Sequence, residues 1–340
     1  MGEGRSLGKR LVALYGGLIG ANLLVWVWAV ASLRGHAALL GTAALAYSFG
    51  LRHAVDADHI AAIDNVTRKL RGEGKRPLSV GFFFALGHSL VVVLLSLGIA
   101  LGAGALGAHL EGFKNFGAVF GTLVSAAFLF LIALLNMLTL AALWRSFQRL
   151  RRGERLPDED LGALTAGGGL LARLFRPLFG IIRRPLHMFP LGFLFGLGFD
   201  TATEVALLGL SAVEAAAGLP LHVILVFPAL FTAGMTLIDT TDGVLMLGAY
   251  DWAFAKPLRR LYYNLVITGL SVGVAVLIGG IETLGLIGDR FGLEGPFWQL
   301  IGALNDDFNL IGFVIVGLFL AVWGGSALFY RYAGIAAAEE

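Results

Sequence analysis

Two histidines, two acids and an arginine crowd one short stretch of this chain. Between Leu51 and Ile60 stand Arg52, His53, Asp56, Asp58 and His59, five ionisable side chains within eight residues. Imidazole combined with carboxylate or water suits nickel, cobalt, zinc and similar divalent ions. On a continuous helix, at about 100° per residue, Arg52, His53, Asp56 and His59 share an arc of about 120°. Asp58 then points to the other side and Asp64 returns near His53. One helix face can therefore offer two imidazoles and a carboxylate. The competing reading is a helix end at a membrane surface, its charges solvated and Asp64, Arg68 and Lys69 already in water.

The element that must carry this motif makes the choice between those readings costly. The apolar run from His36 to Leu51 covers only ~24 Å as a helix, short of the ~30 Å hydrocarbon core of a bilayer. A spanning helix has to draw part of the motif into the membrane. There each ionisable group costs ~2.5–3.5 kcal/mol, and the cluster on the order of 10 kcal/mol if it faces lipid. A cation bound on a protein-facing side would compensate.

The rest of the chain reads as membrane protein. Of 340 residues 57% are hydrophobic and 14% charged, with 48 glycines and mean hydropathy +0.81. That is an integral-membrane composition, with small residues enough for close helix packing. With no cysteine, disulfides, thiolate metal sites and cysteine nucleophiles are excluded. Five methionines give little support to a thioether copper pathway. Apolar runs predict an all-α protein of eight transmembrane helices, roughly 11–33, 37–64, 79–107, 117–144, 186–214, 219–248, 264–288 and 308–330. The first is too long for the apolar region of a signal peptide and reads as an uncleaved span. With the N-terminus inside, 21 of the 25 Lys and Arg fall on the inner side and three outside, Arg52 lying within a span. This bias predicts both termini in the cytoplasm, and it explains the basic composition without nucleic acid. The whole chain, 1–340, reads as one permease domain: a first half over 11–145, a basic cytoplasmic loop over 146–185, and a second half over 186–333.

Other candidates for chemistry follow in order. His88 sits inside the third span, in Gly87-His88-Ser89. Asp200 and Glu204 share a helix face around Thr201, and Asp239 and Asp242 share another at a spacing of three. Such carboxylates could attract a cation, relay protons or pair with Arg52. Phe49-Gly50-Leu51 aligns with Phe195-Gly196-Leu197 at an offset of 146, which sets Asp58 opposite Glu204. Leu86-Gly87-His88 aligns with Ala233-Gly234-Met235 at an offset of 147. A repeat of helices 2–4 in helices 5–7, displaced by three spans, would be inverted, a common plan of secondary transporters.

Taken together, Arg52-His53-Ala54-Val55-Asp56-Ala57-Asp58-His59-Ile60, Leu86-Gly87-His88-Ser89, Leu197-Gly198-Phe199-Asp200-Thr201-Ala202-Thr203-Glu204 and Gly234-Met235-Thr236-Leu237-Ile238-Asp239-Thr240-Thr241-Asp242 resemble the motifs of the nickel/cobalt transporter family, in order. The likeness spans nearly the whole chain and is closest to the high-affinity nickel permeases. It implies an eight-helix permease of the cytoplasmic membrane importing Ni2+, with Co2+ as a further substrate. Neither a cofactor nor an ATPase subunit is implied, and no P-loop motif occurs. The family's helix 2 metal motif falls on His53, Asp58 and His59, whereas the helical wheel favours Asp56. A helix break would reconcile the two. The expected metal site is His53, Asp56, Asp58, His59 and His88, with Arg52, Asp200, Thr201, Glu204, Asp239 and Asp242 as a secondary metal or proton pathway. The rival readings are a related exporter, which would often carry a His-rich loop absent here, and a membrane haem or metal enzyme using His53, His59 and His88.

Overall fold

The computed structural model describes residues 2–102, 107–152, 182–198, 202–253 and 257–332. Among these residues there are helices and no strand, as expected where the backbone must satisfy itself in lipid. The first half holds α1 (Gly2–Ser32), α2 (Ala37–His53), α3 (Ala57–Gly72), α4 (Val80–Gly102) and α5 (Gly107–Arg151). After a 3-10 turn at Pro185–His187 come α6 (Met188–Phe195), α7 (Ala202–Ala216), α8 (Leu221–Ile224) and α9 (Val226–Ala253). The chain ends with α10 (Pro257–Phe291), α11 (Pro296–Asp306) and α12 (Phe308–Tyr332). The expected loop is shorter than its predicted bounds, because α5 continues to Arg151 and Ile182 is already packed in the core. Residues 153–181 of it lie outside the described residues.

Among the described residues six stretches are long and apolar enough to cross a membrane: Leu7–Ser32, Val80–Leu101, Val119–Ala141, Leu221–Trp252, Leu265–Phe291 and Phe308–Gly325. The two expected spans missing from this set are 37–64 and 186–214. α2 stops at His53 and α3 starts at Ala57; α6 stops at Phe195 and α7 starts at Ala202.

The first break has a local cause. Val55 N–H donates to the Arg52 carbonyl and Asp56 N–H to that of His53, a tighter register than the α-helix. Asp56 then takes extended backbone, φ −64° and ψ 144°, and the helix restarts. Arg52 and His53 close α2 while Asp58 opens α3. Those signs complement the negative C-terminal and positive N-terminal ends of the two helix dipoles. In an unbroken helix the same charges would lie where the dipole offers no such complement.

Close backbone packing holds the two broken elements in place. α2 lies on α9, where a side chain at Gly50 would collide with the backbone of Phe231. α6 lies on α4 in the same manner, with Gly87 against the backbone of Phe189 and Phe193. Small residues at such crossings let helices approach in lipid, where burial of apolar area gives no drive of its own. Three apolar clusters enclose the junction: Ala46, Phe227 and Phe231 on one side, Ile63, Phe84 and Phe195 on the second, Ile60, Tyr250 and Ile278 on the third.

Candidate metal centre

The first helix break is where the imidazoles meet. His53 is the last residue of α2, His59 lies in the first turn of α3, and His88 comes from the middle of α4. Their ring centroids form a near-equilateral triangle with sides of 4.8, 4.8 and 4.7 Å. One donor atom from each lies within 4.8 Å of the other two. All three are buried, at 1%, 0% and 2% exposure. Phe84 stands edge-on to His59 at 4.8 Å and Phe231 lies 5.6 Å from His53, so apolar rings wall the cluster.

Carboxyl groups from three elements surround the triangle. His53 Nε2 lies 2.9 Å from His88 Nε2, and Glu204 Oε1 lies 2.8 Å from His88 Nε2 and 3.7 Å from His53 Nε2. Glu204 sits in the first turn of α7, just after the second helix break. Asp239 of α9 approaches His59 Nδ1 to 3.5 Å. Asp56 lies on the far edge of His53, its Oδ2 2.7 Å from Nδ1. Asp56 is the N-cap of α3 yet makes no side-chain cap bond. A role such residues commonly fill is given up for a contact with an imidazole.

Both ring nitrogens of His59, Nδ1 of His88 and both carboxylate oxygens of Asp239 are buried without a hydrogen-bond partner. Leaving buried polar atoms unpaired costs roughly 1–3 kcal/mol each, so native proteins carry few. Here several belong to one cluster, whose three histidines are close enough together to hold a metal ion.

The remaining expected residues are distributed unevenly. Asp58 is half-buried in the first turn of α3. The break therefore occurs, and Asp56 at it is in contact with His53. Arg52 is exposed, and its Nε donates to Asn309 Oδ1 at 2.9 Å. Asp200 and Thr201 lie outside the described residues. Asp242, three residues after Asp239 on α9, lines a cavity with Tyr250, Tyr263 and Met246. The solvated reading of the helix end is overturned at two positions, since Asp64 is wholly buried and Arg68 is 8% exposed. Asp64 accepts hydrogen bonds from the hydroxyls of Tyr250 and Ser271, and Arg68 donates to Thr268 at 2.6 Å. These partners escaped the sequence reading because they come from α9 and α10, nearly 200 residues away. Asn309 escaped it for the same reason.

Comparison with known proteins agrees with this geometry. A family profile described as high-affinity nickel-transport protein, NicO, matches residues 39–329. The chain is 57% identical over 322 residues to the high-affinity nickel transport protein of Cupriavidus necator, covering 95% of this chain and 92% of that one. It is 52% identical over 319 residues to the hydrogenase nickel incorporation protein HupN of Bradyrhizobium diazoefficiens, covering 94% and 83%. Similarity extends to the cobalt transport protein NhlF of Rhodococcus rhodochrous, 39% identical over 324 residues, covering 92% and 91%. No solved structure matches the chain.

Proposed function

Because the chain belongs to the NicO family of high-affinity nickel-transport proteins, we propose that it imports Ni2+ across the cytoplasmic membrane, with Co2+ as a second substrate. It is a transporter, not an enzyme, and the metal is cargo rather than cofactor. The observation that carries this reading is the convergence of His53, His59 and His88 with Glu204 and Asp239 in a buried pocket. In lipid such a group of ionisable side chains marks an ion pathway by default.

The donor types bear on which ion fits: imidazole with carboxylate suits Ni2+, Co2+ and similar divalent ions, and the Nε2 atoms of His53 and His88 lie 2.9 Å apart. We assign His53, His59, His88, Glu204 and Asp239 to the ion, with Asp56 behind His53 and Asp58 at the mouth of α3. Asp200 and Thr201, which fall by number in the second break, and Asp242 beyond Asp239 would continue the pathway.

The transport architecture follows from the two breaks. We read 37–72 and 185–216 as interrupted crossings, which with the six continuous spans makes eight. Packing supports an inverted repeat in reciprocal fashion. A side chain on Gly234 of α9 would come within 2.8 Å of the Tyr47 carbonyl in α2, and its counterpart Gly87 of α4 meets Phe193 in α6, the counterpart of Tyr47. Broken helices at a repeat axis are where secondary transporters hold their ions. Both termini would then be cytoplasmic, in accord with the inner placement of most Lys and Arg, and no ATPase subunit would be needed.

Cells producing the chain should accumulate 63Ni from nanomolar medium above an empty-vector control. A 100-fold excess of Co2+ should suppress uptake, while the same excess of Zn2+ or Mn2+ should leave most of it. Loss of nickel from preloaded cells would instead indicate export, and equal competition by Zn2+ would contradict selectivity for nickel and cobalt.

A further inference from the structure

α12 meets the metal centre at one residue that neither motif nor spacing pointed to. Asn309 lies in its first turn, half-buried. Its Nδ2 donates to Asp56 Oδ1, and its Oδ1 accepts from Arg52 Nε at 2.9 Å. The two bonds demand opposite characters of the amide, so its orientation follows from its partners. One turn on, Gly312 rests against the Val55 carbonyl so closely that a side chain there would collide with it. Asn309 and Gly312 are on one face of α12, and that face is fitted to the 54–56 break.

The chain of contacts runs inward. Asp56 is fully buried, with Oδ1 held by Asn309 and Oδ2 2.7 Å from His53 Nδ1. A carboxylate at Nδ1 keeps the imidazole proton there and leaves the Nε2 lone pair for an ion. Nε2 is the atom that faces His88 and Glu204. We propose that Asn309 is a positioning residue of the nickel site: through Asp56 it fixes the ring and tautomer of His53. The last helix thus becomes part of the site without touching the ion. Arg52 belongs to this relay as the group that orients Asn309, which gives it a task other than lining the pathway.

This inference rests on the nickel reading, and the experiment keeps the two apart. Nickel uptake kinetics would be measured for Asn309→Leu, Asn309→Asp, Asp56→Asn and the exchange D56N/N309D, each normalised to protein in the membrane. Groups behind metal ligands are typically worth ~10–100-fold in affinity, so Asn309→Leu should raise KM for nickel by about that factor. Its maximal rate per folded transporter should change by less than about threefold. A merely structural residue would lower the rate with the amount of folded protein and leave KM unmoved. In the exchange the carboxylate moves beside Arg52, while the amide at position 56 still accepts from His53 and donates to position 309. The exchange should therefore recover KM to within about threefold of wild type, although both single variants are impaired. An unchanged KM in Asn309→Leu, or an exchange no better than its parents, overturns the proposal. If His88→Ala also transports normally, the nickel site itself is misassigned; if only His88→Ala fails, the error is confined to Asn309.

Discussion

Replacing His88 by alanine is expected to abolish nickel accumulation at nanomolar concentrations, a loss on the order of 100-fold or more, given that even outer groups are worth ~10–100-fold. His88 joins the triangle to Glu204, its Nε2 lying 2.9 Å from His53 and 2.8 Å from the carboxylate. Removing it opens the ion's nitrogen set and leaves Glu204 facing a void. His53→Ala and His59→Ala should behave alike, since each supplies one side of the same triangle. His222→Ala, at an exposed position on α8, should keep uptake within about twofold, as surface changes away from special contacts usually have small effects. Membrane abundance of each variant, measured by immunoblot, separates lost transport from lost protein.

The second large effect concerns one methyl group. Gly87→Ala and Gly209→Ala are the same change at two helical positions, and they should shift thermal stability in opposite directions. Gly209 faces open space, and alanine in place of glycine favours a helix by ~1 kcal/mol. Gly87 is pressed against the backbone of Phe189 and Phe193. A backbone cannot rotate aside as a side chain can, so α4 and α6 must separate, at a cost of about 1–3 kcal/mol or more. His88 is the next residue, so that separation also moves a ligand. Thermal unfolding of the purified protein in detergent should place Gly87→Ala below wild type and Gly209→Ala at or above it. Nickel uptake should fall only for Gly87→Ala.

Much of the site was legible because its chemistry is local. His53 and His59 announce themselves by type and spacing, and His88 by standing inside an apolar span. The helical wheel was right that His53 and Asp56 meet, because they are three residues apart and the turn at 54–56 keeps them adjacent. Beyond that turn a fixed 100° per residue does not apply, because the backbone becomes extended at Asp56, yet His59 still comes to lie beside His53. Hydropathy read 37–64 and 186–214 as whole helices, because an apolar average is indifferent to a short interruption. Asp239 and Asp242, three apart on α9, reach different neighbours, His59 and the cavity beside Tyr250, which spacing alone could not name. Asn309, Tyr250, Ser271 and Thr268 left no trace in sequence. Each is an ordinary polar residue whose meaning comes from a partner about 200 residues or more away. The burial of Asp64 and Arg68 follows from those same long-range bonds, and a local reading had no means to foresee it.

The central claim is that imidazoles from both sides of a broken helix and from α4 hold the transported ion together. Nickel K-edge X-ray absorption on purified protein loaded with one equivalent of Ni2+ addresses this most directly. The expected spectrum shows a nitrogen and oxygen shell with the outer scattering of two or three imidazole rings. His88→Ala should lose one ring's share of that scattering. A shell of oxygen alone, or a spectrum unchanged in His88→Ala, would contradict the assignment.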